Sequence, residues 1–176
     1  MQIKQEILEK NSIINFYPAT AFVTDDLLYV AAKNIAANSE LCRNILALPG
    51  VERLLITPEL ISVRYGQADV EELRVLIMAE IDDYFAEPYR LADGPSTVAI
   101  KESAEALADA LIRPTLNRDN GDIIIHQINN GAVELSFTGH CAGCPYAANT
   151  LQNVIMRTFL RYMPQIREVK LREADK

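Results

Sequence analysis

The chain has 176 residues, 49% hydrophobic and 23% charged, which fits a soluble globular protein of one domain or two small ones and excludes a fibrous or disordered class. No run of about 18 apolar residues offers a membrane span, and a net charge of −7 argues against a nucleic-acid partner, which would favour a basic stripe. The acidity is uneven: residues 1–87 hold seven Lys/Arg against fourteen Asp/Glu and residues 88–176 hold ten of each, so the first half carries the whole excess.

The first residues lack the basic start, apolar stretch and small-residue cleavage site of a secretory signal and are too acidic for a transit peptide. The expectation is a cytoplasmic or equivalent reducing compartment. There, three cysteines read as metal or redox chemistry plus one spectator, not as a disulfide framework.

Residues 1–12 read as a short leading helix or loose arm, with Ile3, Ile7 and Leu8 as a narrow apolar stripe. Residues 13–22 and 27–32 follow as two strands, the first placed at a sheet edge or made irregular by Pro18. Ser39 is a candidate cap for a helix over 40–48 that Pro49-Gly50 stops, and Cys42 inside it reads as a small core residue. A hairpin around Pro58-Glu59 joins strands 53–57 and 60–65. Asp69 with Glu72 then forms a capping-box pattern ahead of Val70, Leu73, Ile77 and Ile81 at helical spacing. The acids of that helix, Glu71, Glu72, Glu80, Asp82 and Asp83, suit a solvated face or a docking surface for a basic partner.

Periodicity breaks over 88–100, where Pro88, Gly94-Pro95 and Ser96 mark a linker. Helical spacing resumes over 101–116 until Arg113-Pro114 disturbs it, and Asn129-Asn130-Gly131 turns strand 122–128 into strand 133–137. The second strand feeds Gly139-His140-Cys141-Ala142-Gly143-Cys144-Pro145. A helical stripe from Ala147 to Tyr162 and a strand over 166–171 follow. The expected fold class is therefore α+β: two small domains, ββαββα over 13–87 and αββαβ over 101–176.

Cys141 and Cys144 lie three apart where a strand ends and a helix begins, within reach of one metal centre or of each other, and the free amides of a helix start favour thiolate. Gly139, Gly143 and Ala142 suit a ligand loop presented outward. His140, adjacent to Cys141, is expected to point away from the site the pair shares, and His126 to be a surface residue or a satisfied partner in the sheet. One chain thus supplies two ligands where zinc or an iron-sulfur cluster takes four.

Ile112-Arg113-Pro114, Asp119-Asn120-Gly121-Asp122, Gly139-x-Cys141-x-x-Cys144-Pro145, Thr150-Leu151 and Pro164 together resemble the NifU C-terminal domain over about residues 101–172. Ahead of them, Leu41 through Gly50-Val51, Leu60-Ile61-Ser62-Val63 and Asp83-Tyr84-Phe85 are similar to the N-terminal domain of Nfu-type proteins. The resemblance implies a non-enzymatic iron-sulfur scaffold or carrier. In it, Cys141 and Cys144 from each of two chains hold one 4Fe-4S cluster, with 2Fe-2S as the alternative. It also implies a homodimer when loaded, apo-protein clients and upstream assembly factors as partners, and neither nucleic acid nor membrane. Two departures stand out: the family's DGGD reads Asp119-Asn120-Gly121-Asp122, and a small hydroxyl residue after the motif is Tyr146. On the residues alone, a dithiol-disulfide oxidoreductase and a structural zinc shared by two chains remain rivals. The αββ order ahead of the motif is wrong for the thioredoxin arrangement.

Overall fold

The computed structural model describes residues 2–19, 21, 29–32, 39–86, 99–143 and 145–172, with the backbone alone at residues 29, 143 and 145–151. The chain divides into two compact units, Met1–Val98 and Ala99–Lys176, and the fold is α+β.

In the first unit, strands β1 (Ile3–Leu8), β2 (Ile13–Pro18), β3 (Tyr29–Ala32), β4 (Val51–Thr57) and β5 (Leu60–Tyr65) form a sheet of order β1-β2-β5-β4-β3. Every described pairing in it is antiparallel. Two helices, α1 (Glu40–Ala47) and α2 (Val70–Ala86), supply apolar faces to a core with Ile14, Phe16, Leu54, Ile61 and Val63. Leu41, Ile45, Leu73, Ile77 and Ile81 are among their contribution, spaced four residues apart within each helix so that they share one side of it.

Three expectations for this unit need correction. Residues 3–8 are a strand, not a leading helix: Ile3 and Ile7 are four apart, a spacing that fits one helical turn and two strand periods equally, and antiparallel pairing of Ile3 with Pro18 through Leu8 with Ile13 decides for the strand. Strand β2 is an interior strand, flanked by β1 and β5. Pro18 is tolerated because it is the last residue of β2, where a missing N–H costs the ladder least. Ser39 occupies the N-cap position of α1, yet its side chain makes no capping hydrogen bond. Asp69 does cap α2: its Oδ1 accepts from the Glu71 and Glu72 amides at 3.0 and 3.1 Å. Residues 20, 22, 27 and 28 of the two expected strands, and 88–98 of the expected linker, lie outside the described residues.

The second unit opens with one helical run in three parts, α3 (Ile100–Leu107), a π turn (Ala108–Ile112) and α4 (Arg113–Asn117). Pro114 explains the widened middle: it has no N–H to give and its ring would strike the carbonyl four residues back in a regular α-helix. Strands β6 (Gly121–Asn129) and β7 (Ala132–Gly139) then form a hairpin on a two-residue turn. Asn130 (φ 50°) and Gly131 (φ 79°) both sit in the left-handed region, as a twist-matched two-residue turn demands.

A 3-10 turn (His140–Gly143) leads to helix α5 (Pro145–Tyr162), and β8 (Glu168–Leu171) returns parallel to β7, giving the order β6-β7-β8. Leu107, Ile112, Ile123, Leu135, Ile155 and Phe159 are among the buried side chains of this unit. Antiparallel pairing holds the end of β7, and hence the start of the cysteine motif, against the start of β6.

Candidate functional site

The site is built where two chain segments meet: the Asn120-Gly121-Asp122 entry to β6 and the Gly139-His140-Cys141 exit from β7. Gly121 pairs with Gly139 and Asp122 with Thr138, and the His140 amide donates to the Asn120 carbonyl at 3.2 Å. Gly139 has φ +63°, and a Cβ there would strike the Asn120 carbonyl, so the chain can leave the strand this closely only as glycine.

Cys141 follows in the 3-10 turn and is buried, at 8% relative exposure. Its sulfur packs directly on Gly121: a Cβ added to Gly121 would collide with the Cys141 Sγ, and would also sit 3.1 Å from the Cys141 Cβ. The expectation of an outward-presented loop therefore needs adjusting. The turn holds Cys141 inward, on the backbone of β6, because the missing Gly121 side chain leaves room for a sulfur there. Cys144 lies outside the described residues. His140 is exposed. His126 is satisfied within the sheet, its Nε2 2.9 Å from Ser136 Oγ. Cys42 is fully buried in the core of the first unit. Among the described residues no group of three His, Cys, Asp or Glu side chains is placed to hold a metal ion.

Beside this junction stands an ion cluster whose extent the sequence did not disclose. Arg113 has only 13% of its side chain exposed, and its guanidinium reaches Asp109 Oδ1 at 2.6 Å, Glu105 Oε2 at 2.8 Å and Asp122 Oδ1 at 3.2 Å. It also donates to the Ile123 carbonyl at 3.2 Å. Burial by itself would lower the Arg113 pKa, but the charges of Asp109 and Glu105 and their hydrogen bonds outweigh it and raise the pKa above its ordinary value. The guanidinium stays ionised, and its planar fork satisfies three carboxylates and a carbonyl that a lysine could not span together. The π turn serves this geometry, since Asp109 lies inside it and Arg113 immediately follows it.

Residues 105–170 match the family model described as the NifU-like domain. The second unit is a NifU-like domain. It contains every element from the last turn of α3 to β8, the Cys141 turn included. Over 146 residues, 77% of this chain, the protein is 32% identical to the human "NFU1 iron-sulfur cluster scaffold homolog, mitochondrial", of which it covers 58%. The protein of the same description from Drosophila persimilis is 25% identical over 173 residues, 89% of this chain and 60% of its own. The chain thus spans about three fifths of the length of these relatives. Among solved structures, protein SAV1430 from Staphylococcus aureus aligns with 46% of this chain and 99% of its own at a TM-score of 0.40 and 16% identity, a likeness too low to build on.

The first unit contributes a different surface. Glu71, Glu72, Asp82 and Asp83 are exposed on α2, and Glu80 and Asp83 join Glu40, Leu41, Asn44 and Tyr84 around a cavity of about 200 Å³. No described helix is long and apolar enough to cross a membrane.

Proposed function

We propose that the protein is an iron-sulfur cluster carrier, in which Cys141 and Cys144 of the NifU-like domain are ligands and a second copy supplies the other two. The observation that supports this reading is Cys141 in the 3-10 turn that leaves β7, with Cys144 three residues on in the sequence and both within the stretch that matches the NifU-like domain, two thiols per chain. Thiolates are the ordinary ligands of 2Fe-2S and 4Fe-4S clusters, and four are needed for one cluster. The cargo on this reading is a 4Fe-4S cluster shared by two chains. The first unit is an Nfu-type N-terminal domain whose acidic surface selects partners, and the partners are upstream assembly factors and apo-protein clients.

Transfer is ligand exchange, with no change in oxidation state required. A client thiolate forms a bond to iron as the bond from Cys141 or Cys144 breaks, the displaced thiolate takes a proton from solvent, and repetition moves the cluster intact. The protein is then a carrier, not an enzyme, and its thiols demand a reducing compartment, which we take to be the cytoplasm for this chain.

Anaerobic reconstitution with iron and sulfide tests the proposal. About two iron and two sulfide per chain are expected for a shared 4Fe-4S cluster, and about one of each for 2Fe-2S. The Cys141→Ala and Cys144→Ala variants should bind neither. A zinc-only protein, or variants that load like the parent, would overturn the reading.

A further inference from the structure

We propose that Arg113, acting through Asp122, is a positioning residue for Cys141: it pins the turn on whose glycine the cysteine sulfur rests. The proposal deepens the carrier reading and rests on it only for the purpose of the sulfur, not for the placement itself.

The chain of contacts is short. Arg113 Nε donates to Asp122 Oδ1 at 3.2 Å, and the same oxygen accepts from the Ile123 amide at 2.7 Å, so the first residues of β6 are fastened at side chain and backbone together. Arg113 Nη2 holds the Ile123 carbonyl at 3.2 Å as well. Immediately before lies Gly121, on which the Cys141 sulfur packs, and Asn120, whose carbonyl accepts from His140.

On its other side the guanidinium is anchored to the helical run by Glu105 and by Asp109, a buried carboxylate. Both ends of the clamp are therefore rigid, one a helix and one a sheet. A ligand sulfur needs that rigidity, because sites hold their geometry only when the atoms behind the ligand are themselves fixed.

A purely structural role would make the cluster matter for stability alone. The two roles separate at Asp122, whose side chain is 45% exposed. Removing it leaves Arg113 paired with Glu105 and Asp109 and still donating to the Ile123 carbonyl, so the fold loses little, while the hold nearest Gly121, the Asp122 carboxylate that bridges Arg113 and the Ile123 amide, is cut.

The test measures Cys141 alkylation by iodoacetamide in full-length apo-protein carrying Cys144→Ser, which leaves Cys141 as the single thiol of the second unit. Cleavage and mass spectrometry separate it from Cys42. Asp122→Ala should speed Cys141 alkylation about five-fold or more through local opening, with the melting temperature lowered by no more than about 3 °C. Asp122→Asn, which keeps the acceptor oxygen, should restore most of the protection. Arg113→Lys should behave like Asp122→Ala, because a single ammonium cannot hold the helix carboxylates and the turn at once. In the Cys144-containing protein, the loaded Asp122→Ala variant should lose iron to a chelator faster than the parent.

An unchanged alkylation rate in Asp122→Ala would overturn the positioning role. So would an increase matched by an equal loss of global protection in hydrogen exchange. Because the thiol readout needs no cluster, its failure is distinct from failure of the carrier reading, which shows instead as a parent protein that binds no iron and sulfide.

Discussion

Replacing Gly121 with alanine adds one carbon at the point where the cysteine site has no room for it. The new Cβ would collide with Cys141 Sγ, with Cys141 Cβ 3.1 Å and the Leu116 carbonyl 3.5 Å away. Restoring ordinary contact requires the sulfur to move by roughly an ångström or more, by a rotamer change or by displacement of the 3-10 turn. Gly121 is not among the positive-φ residues, so alanine suits its backbone and should gain about 0.4–1 kcal/mol by restricting the unfolded chain. Overpacking of a close contact costs about 1–3 kcal/mol, so a net loss of about 1–2 kcal/mol is expected. For a unit the size of Ala99–Lys176 this corresponds to a fall of about 4–15 °C in its melting temperature. Circular dichroism melts of parent and variant measure that fall, and cysteine alkylation reports the sulfur. A Gly121→Ala protein that melts no lower than the parent, with Cys141 equally slow to alkylate, would refute the packing of sulfur on glycine from which the site is reasoned.

Two other substitutions probe the frame around it. Gly131→Ala places a side chain at φ +79° with its Cβ 2.8 Å from the Gln165 carbonyl, and should cost about 1–2 kcal/mol, seen as a lower denaturation midpoint at unchanged slope. Cys42→Ala empties a sulfur-sized space in a fully buried position of the first unit and should cost about 1 kcal/mol. Its iron content after reconstitution should equal that of the parent, in contrast to Cys141→Ala.

Much of the architecture was legible because its signals are local. Asn130-Gly131 names its own turn, since two consecutive left-handed residues are cheap only for such a pair, and the register of β6 and β7 follows from it as far as Gln127, where a bulge shifts the pairing by one residue. Asp69 caps α2 as its spacing implied, and Leu73, Ile77 and Ile81 face the core. Residues 3–8 are ambiguous in sequence because Ile3 and Ile7 obey both periods, and only the partner strand breaks the tie. Strand β2 departs from the edge expectation because Pro18 ends the strand and does not stand within it. The π turn escaped too, since widening of a helix shows only in its hydrogen bonds, although Arg113-Pro114 marked the disturbance.

The site was half legible. Two cysteines three apart mark a candidate site, but the ion cluster beside Cys141 draws on residues up to 36 positions earlier in sequence, Glu105 being the most distant from it. Nothing in the composition of residues 105–122 says that one guanidinium gathers Glu105, Asp109 and Asp122. Three acids within reach of one arginine on a helical run and the strand after it are a signal only once the fold brings them together.

The departure at Asn120 can now be judged by its geometry. At this position the family pattern has glycine, and φ here is 53°, in the left-handed region that asparagine tolerates better than most side chains. The backbone demand is met without glycine. The next position makes a different demand: what Gly121 supplies is space, and any side chain would begin with the carbon that strikes Cys141 Sγ. Two glycines that look equivalent in a motif are therefore constrained for unlike reasons, one by torsion and one by volume. The substitution in this chain falls on the torsional one, where an alternative residue exists. The packing of Cys141 on Gly121 survives it, which is why the Asp119-Asn120-Gly121-Asp122 variant is compatible with the same cysteine site.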